Sequence, residues 1–469
     1  MLFNSWTYIT FFILAALILR VKYLPWRYSL AVLSILFYIS WDYRFVPLIL
    51  FITILNFFSA KFIDKVSKIE LKKLILAISV FINLAILIFF KYILLILSMF
   101  ESVFDIKHYV SHFHSIILPL GISFYIFQAI SYVVDVYRKE RNAEASYLNF
   151  MLFIVFFPQL IAGPIMRANQ LLPQLKKRPK INNNDLKIGM SYFLNGLFLK
   201  VVLADNISPF VDSAFDVNPS LLGFLDISTM GFLFGWQIYF DFFGYSLIAI
   251  GSARIIGIML VDNFKDPYIS QSIREFWTRW HISLSQWIRD YLYVPLLRVF
   301  FKDQRPSNLN LLVILCLFVS WSLMGMWHGS NLSFLIWGLM HAVFLLIYRI
   351  NQKIFPNKLF KNKIVKLMSL GVTLYAVMIA WIPFRANDAN HTYELFLSLI
   401  SHENFLSLGL REDTYLIAFI ITIGYFLYYF VVNTFKVKNI NLEFIFILFK
   451  VMMVYIYLQA KDQFIYFQF

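Results

Sequence analysis

The chain has 469 residues, of which 60% are hydrophobic and only 14% charged, and its mean hydropathy is +0.71. Such a composition excludes a soluble globular domain and describes an all-α polytopic membrane protein. The formal net charge of +15 does not indicate nucleic acid, because the Lys and Arg residues sit in short clusters between apolar runs, as in cytoplasmic loops facing anionic lipid, and no nucleic-acid motif accompanies them.

The first apolar run, from Asn4 to Leu19, lacks a basic start and a small-residue cleavage site, so it is expected to remain as the first span. Uncharged runs long enough, or nearly so, to cross a hydrocarbon layer of ~30 Å as helices recur from Phe45 to Ala60, Leu74 to Phe90, Leu311 to Trp327 and Leu332 to Tyr348. The short alternating strands of a membrane barrel are absent. Basic clusters at Arg20 to Arg27, Lys61 to Lys73, Arg138 to Arg141, Lys176 to Lys180, Arg349 to Lys366, and Lys436 with Lys438 are read as cytoplasmic. The N-terminus and the loop from Glu101 to Ser115 then lie outside. Within that loop His108, His112 and His114 have a spacing that could hold a metal, but no Cys or acid triad joins them, and no metal site is expected. The segment from Tyr147 to Ala162 is apolar yet has basic clusters on both sides. Pro158, Gly163 and Pro164 break its helix geometry, so a re-entrant segment buried in protein is expected. Three further crossings, Leu367 to Trp381, Tyr415 to Val432 and Leu442 to Leu458, place the C-terminus outside. The single cysteine, Cys316, lies in an apolar run and is read as packing. No internal repeat or soluble domain interrupts residues 1–469, which read as one membrane unit.

Between Asp262 and Arg298 the pattern becomes amphipathic. On helical spacing Arg274, Thr278, His281, Ser285 and Arg289 form one polar stripe, while Phe276, Trp280, Leu284, Trp287 and Tyr291 occupy other faces. Helices lying in the interface or dipping into a polar cavity fit this pattern. His281 and His328 both stand in apolar, tryptophan-rich surroundings. An ionisable group at bilayer depth is by default a functional hypothesis, and imidazole is the side chain suited to moving protons near neutral pH. Burial favours its neutral, basic form. Gly325 and Gly329 flank His328, where backbone could approach a substrate closely. Asp241 sits in an aromatic run and is costly to bury unpaired; it either hydrogen-bonds Tyr239, Tyr245 or a backbone turn, or polarises the site. Arg274, Arg279, Lys302 and Arg305 are cationic candidates for the phosphates of a coenzyme A donor, with solvated or lipid-facing charge as the alternative.

Several stretches in a fixed order resemble the membrane-bound O-acyltransferase family, in its bacterial alginate and peptidoglycan O-acetyltransferase branch. They are Leu118-Pro-Leu-Gly-Ile-Ser-Phe-Tyr through Asp135-Val-Tyr-Arg138, Phe157-Pro-Gln-Leu-Ile-Ala-Gly-Pro-Ile-Met-Arg167, Gln237-Ile-Tyr-Phe-Asp-Phe-Phe-Gly-Tyr-Ser246, Phe276 to Pro295, Gly325 to Asn331, and Trp381-Ile-Pro-Phe-Arg385. These span a motif-bearing core of residues 118–385. The resemblance implies a ring of tilted transmembrane helices, with re-entrant and interfacial helices, around a central tunnel joining a cytoplasmic donor to an external acceptor. It implies that His328 is the catalytic histidine and His281 its companion facing the tunnel from the other side; Asp241, Tyr239 and Ser285 are the candidate supporting residues. A positioned histidine base contributes roughly 10²–10⁴-fold to such a transfer.

The aromatic tail, Gln463-Phe-Ile-Tyr466-Phe-Gln-Phe469, is similar to the C-terminal tyrosine motif that carries acyl groups in cell-wall acylation. Tyr466 is the candidate relay, with the interfacial-anchor role of tyrosine as its alternative. Together these imply an acetyltransferase of the bacterial cytoplasmic membrane that takes acetyl from acetyl-CoA, with no bound cofactor, and passes it to a periplasmic partner of the SGNH esterase type for O-acetylation of peptidoglycan. The alternatives are an exopolysaccharide such as alginate, D-alanyl transfer to teichoic acid, and a transporter or scaffold subunit without chemistry of its own.

Overall fold

The computed structural model describes the chain except residues 102–116, 162, 303–306, 308, 356–361, 402–404, 406–407, 436–439 and 459–469. Regular structure among the described residues is helical, with no strand, and eight helices or continuous helical stretches are long and apolar enough to cross a membrane. Two of those, Asn183–Phe215 and Phe224–Ile255, are not evident as uncharged runs in the sequence. Lys200, Asp205 and Asp241 interrupt them, and all three side chains are buried. In contrast, α1 (Trp6–Arg20) has 15 residues, short of the ~20 that a perpendicular crossing needs.

The chain forms two compact units, Met1–Phe193 with Tyr245–Asp262, and Leu194–Gly244 with Asn263–Phe469. In the first unit α1 is followed by α2 (Trp26–Ile39), α3 (Val46–Lys65), α4 (Ile69–Glu101), α5 (Ile122–Tyr137), α6 (Tyr147–Val155), α7 (Phe157–Leu160), α8 (Ala168–Leu175) and most of α9 (Asn183–Leu197). Side chains satisfy the helix starts where water would not: the Ser5 hydroxyl accepts the Tyr8 N–H at 3.2 Å. Helices α3 and α4 are tied by a buried polar cluster. Asn56 and Asn83 exchange side-chain hydrogen bonds of 3.1 and 3.0 Å, and Ser79 donates to Asn56 at 3.1 Å, the kind of contact that holds apolar helices in register. The expected interruption after Tyr147 is present: the helix breaks at Phe156, Pro158 opens α7, and residues from Leu152 to Ile161 are buried in protein. Gly121 turns into α5 at φ +69°, where a Cβ would lie 2.2 Å from the Leu160 carbonyl oxygen, so only glycine fits.

The second unit holds a π-helical turn, Phe198–Ala204, then α10 (Asp205–Phe215), most of α11 (Phe224–Ile255), α12 (Ile273–Arg279), α13 (Ile282–Ile288), a second π-helical turn, Arg289–Tyr293, and α14 (Val294–Phe301). It continues through α15 (Leu311–His328), α16 (Leu332–Ile354), α17 (Lys363–Ala380), α18 (Ile382–Arg385), α19 (Ala389–Ile400), α20 (Glu412–Phe435) and α21 (Ile440–Tyr457). A three-residue connection joins α15 to α16, whose backbones meet at glycines. A Cβ on Gly325 would lie 2.3 Å from the Phe334 carbonyl oxygen, and one on Gly338 would lie 2.3 Å from that of Trp321. This corrects the expectation that Gly325 and Gly329 open backbone to a substrate. Gly325 admits the neighbouring helix, and a Cβ on Gly329 would strike the Phe334 ring at 2.0 Å. Gly338→Val is therefore expected to push α15 and α16 apart, at about 1–3 kcal/mol or more for overpacking. A lowered thermal midpoint of the purified variant, with reduced recovery of monodisperse protein, checks this.

Candidate active site

The polar stripe from Arg274 to Arg289 is not one helix. Residues from Ile273 form α12, Trp280 is extended, and His281 adopts the left-handed conformation (φ 40°, ψ 54°) before α13 begins. For a residue other than glycine this conformation costs of order 1–3 kcal/mol and persists where surrounding structure demands it. Its effect is to take His281 out of the stripe. The ring turns inward to 1% exposure, while Arg274, Thr278, Ser285 and Arg289 remain together along a cavity wall. Inside, the His281 Nδ1 lies 3.2 Å from the Asn263 Oδ1, which also accepts the Ser283 N–H at 3.2 Å and its hydroxyl at 2.9 Å. An oxygen accepting from a backbone N–H makes Nδ1 the donor, so the neutral ring keeps its lone pair on Nε2. Desolvation pushes the pKa of His281 well below its ordinary value, and the ring is neutral at physiological pH.

His328 is the last residue of α15 and is 4% exposed. Aromatic rings surround it, with centroids at 4.9 Å for Trp327, 5.0 Å for Trp337 and 5.1 Å for Phe384. The Trp327 indole also lies 6.5 Å from the ring of His281. Two imidazoles 47 positions apart in sequence thus pack against the same indole.

Two cavities lie in the same unit. One, of about 350 Å³, is lined by Arg274, Thr278, Ser285 and Arg289, by Ser320 and Trp321 of α15, and by Arg349 of α16. Arg289 pairs with Asp290 at 2.7 Å, and Arg349 donates to the Tyr293 hydroxyl at 3.0 Å. Three guanidinium groups in one concavity suit an anionic ligand such as a phosphate. Arg279, expected beside Arg274, is not among its lining. That guanidinium pairs with Glu275 at 2.9 Å and donates to the Lys265 carbonyl at 3.1 Å, because i,i+4 spacing brings the carboxylate to it first. The second cavity, of about 250 Å³, is lined by Ser330, Asn331, Phe334, Phe384, Arg385, Ala386 and Asn387. Phe384 borders this cavity and packs on His328.

Asp241 is 1% exposed and pairs with the Lys200 ammonium at 2.7 Å, and that ammonium also pairs with Asp205 at 2.6 Å. The expected Tyr245 hydroxyl donates instead to Asn4 at 3.1 Å. Tyr239 lies in an aromatic stack with Tyr268 at 5.2 Å and Trp280 at 6.1 Å. The Ser285 hydroxyl donates to the Trp280 carbonyl at 3.3 Å. Tyr466, Arg305, His108, His112 and His114 lie outside the described residues. Sequence reading missed Lys200, Asn263, Trp337 and His341. A lysine within an otherwise apolar stretch was a usable signal, since a charge at that depth needs a partner. A histidine within the apolar run from Leu332 to Tyr348 was another, whereas Asn263 and Trp337 become visible only through what they touch.

Comparison with known proteins identifies the family. The family model of MBOAT, the membrane-bound O-acyltransferase family, matches residues 48–382. The chain is 32% identical over 399 residues to "Peptidoglycan O-acetyltransferase" of Helicobacter pylori, covering 79% of this chain and 73% of that protein. It is 33% identical over 414 residues to "Probable alginate O-acetylase AlgI" of Azotobacter vinelandii, covering 86% and 78%. With "Teichoic acid D-alanyltransferase" of Bacillus subtilis it shares 29% identity over 287 residues, covering 59% and 71%. A multi-pass helical chain with this match over most of its length belongs to the membrane-bound O-acyltransferase family and is an acyltransferase.

Proposed function

We propose that the protein takes acetyl from acetyl-CoA on the inner side of the bacterial cytoplasmic membrane and delivers it outside for O-acetylation of peptidoglycan. The observation that carries this reading is the convergence of His281 and His328 on one indole, in a unit with an arginine-lined cavity and a polar one bordered by Phe384. In the proposed reaction, the arginines at 274, 289 and 349 receive the phosphates of the donor. His328 takes the proton of the accepting hydroxyl as its oxygen attacks the thioester carbonyl carbon. The carbon–sulfur bond then breaks, and the leaving thiolate collects that proton. His281, with its proton fixed on Nδ1 by Asn263, offers Nε2 as an acceptor for a neighbouring donor. Asp241 and Tyr239 support the frame, and Ser285 lines the donor cavity.

The first acceptor in this scheme is the Tyr466 phenol, and an acetylated tyrosine at an extracytoplasmic C-terminus would pass acetyl to a periplasmic partner of the SGNH type. A phenol ester is more activated than an alkyl ester, so onward transfer to a serine is downhill. Mass spectrometry of the C-terminal peptide is expected to find acetyl on Tyr466, and Tyr466→Phe is expected to abolish ester-linked acetate on the muropeptides. Unmodified peptide together with undiminished acetate in the phenylalanine strain would remove the relay. The similarity to alginate acetylases over 86% of the chain favours an exopolysaccharide as the second reading. Ester acetate lost from an exopolysaccharide but kept on the muropeptides, in a strain lacking the protein, would decide for it.

A further inference from the structure

His341 of α16 is a third buried imidazole, at 0% exposure. Its Nδ1 accepts the indole N–H of Trp277 at 3.3 Å. Indole nitrogen only donates, so Nδ1 holds a lone pair and the neutral ring carries its proton on Nε2. That N–H is buried and has no acceptor among the described residues. The same holds for the indole N–H of Trp337, a residue 1% exposed. The two rings are neighbours, 4.8 Å apart between centroids, and Trp337 packs 5.0 Å from His328. Buried donors are normally satisfied, and leaving one unmet is destabilising. Two such donors sit in adjacent rings, one of them against His328.

We propose that the Trp337 Nε1–H and the His341 Nε2–H form the donor pair that stabilises the oxyanion of acyl transfer. This inference rests on the reaction proposed above. As the hydroxyl oxygen attacks, the carbonyl π electrons move to oxygen. That oxygen is an acceptor with no proton, the complement of two donors with no lone pairs to offer. When the carbon–sulfur bond breaks the electrons return, the carbonyl re-forms and the sulfur leaves. Such donors act where charge develops and are worth more when water is excluded. The Trp277 hydrogen bond holds the His341 tautomer that places this proton on Nε2.

The test measures release of coenzyme A thiol from acetyl-CoA by the full-length chain in proteoliposomes supplied with an excess of a soluble alcohol acceptor, which takes the acetyl group so that the protein turns over. His341→Phe keeps a ring and loses the donor; His341→Gln loses the ring and keeps an N–H. Losing one donor is expected to lower kcat by roughly 10²–10³-fold, with KM for acetyl-CoA changed less than about threefold. The glutamine variant is expected to recover at least about tenfold over phenylalanine. Packing alone predicts the opposite order, so phenylalanine outperforming glutamine would overturn the proposal. At Trp337, benzothienylalanine, an indole isostere without the N–H, is expected to show the same kcat loss. Undiminished kcat with the isostere would also overturn it. If His328→Ala alone retains thiol release, the failure belongs to the underlying reaction; if His328→Ala is inactive while both donor variants remain active, it belongs to the donor pair.

Discussion

Replacing His328 by alanine is expected to abolish acetyl transfer while the protein stays folded and inserted. Removal of a positioned base lowers the rate by roughly 10²–10⁴-fold, which in a cell reads as loss of ester-linked acetate from the wall glycan. The substitution leaves the helix intact, because His328 is the last residue of α15 and alanine is a strong helix former. It does remove an aromatic contact to Trp327, Trp337 and Phe384. The measurement therefore pairs acetate per muropeptide with the quantity and size-exclusion profile of the membrane-extracted variant. Wild-type acetate in a strain whose only copy carries His328→Ala would eliminate the base and favour a subunit that conducts or scaffolds.

Lys200→Met is expected to have the largest effect on stability. The ammonium sits at 1% exposure between Asp205 and Asp241, with contacts of 2.6 and 2.7 Å. Taking one partner out of a buried pair costs about 3–5 kcal/mol, since the charge left behind has been desolvated without compensation. Here two carboxylates lose the cation. The site is also tightly built. A Cβ on Gly244 of α11 would lie 2.8 Å from the Gly196 carbonyl oxygen and 3.0 Å from the Lys200 backbone nitrogen, so the π-helical turn and α11 have no slack for solvent. The expected result is poor recovery of folded protein and a thermal midpoint well below wild type. Lys200→Met combined with Asp241→Asn is expected to recover part of the loss, because one buried carboxylate is neutralised. If the single variant matches wild type in yield and midpoint, the pair carries no stability. Asp241 precedes Phe242, whose ring stands edge-on to His281 at 4.6 Å, so loosening this clamp also disturbs the packing around His281.

The membrane class, six of the eight candidate spans among the described residues, the broken helix at Phe156 and the family were legible from one chain. Apolar run length, prolines and motif order are local properties, readable without knowing what packs on what. The stripe through His281 was read as continuous because helical spacing assumes an unbroken helix, and one left-handed residue rotates everything after it. A glycine in sequence does not say which neighbour comes close, and at Gly325 the fold brings up the α16 backbone. Asp241 was given nearby partners, whereas its cation is 41 positions away on another helix. Arg279 turns from the cavity because Glu275, one helical turn before it, claims its guanidinium, and spacing alone does not say which of two partners wins. Residue type and spacing determined which chemistry this protein carries. Which nitrogen holds each proton, which charges compensate one another and which donors await an acceptor were decided only by tertiary structure, because desolvation and hydrogen-bond geometry act between groups that are distant along the chain and adjacent in space.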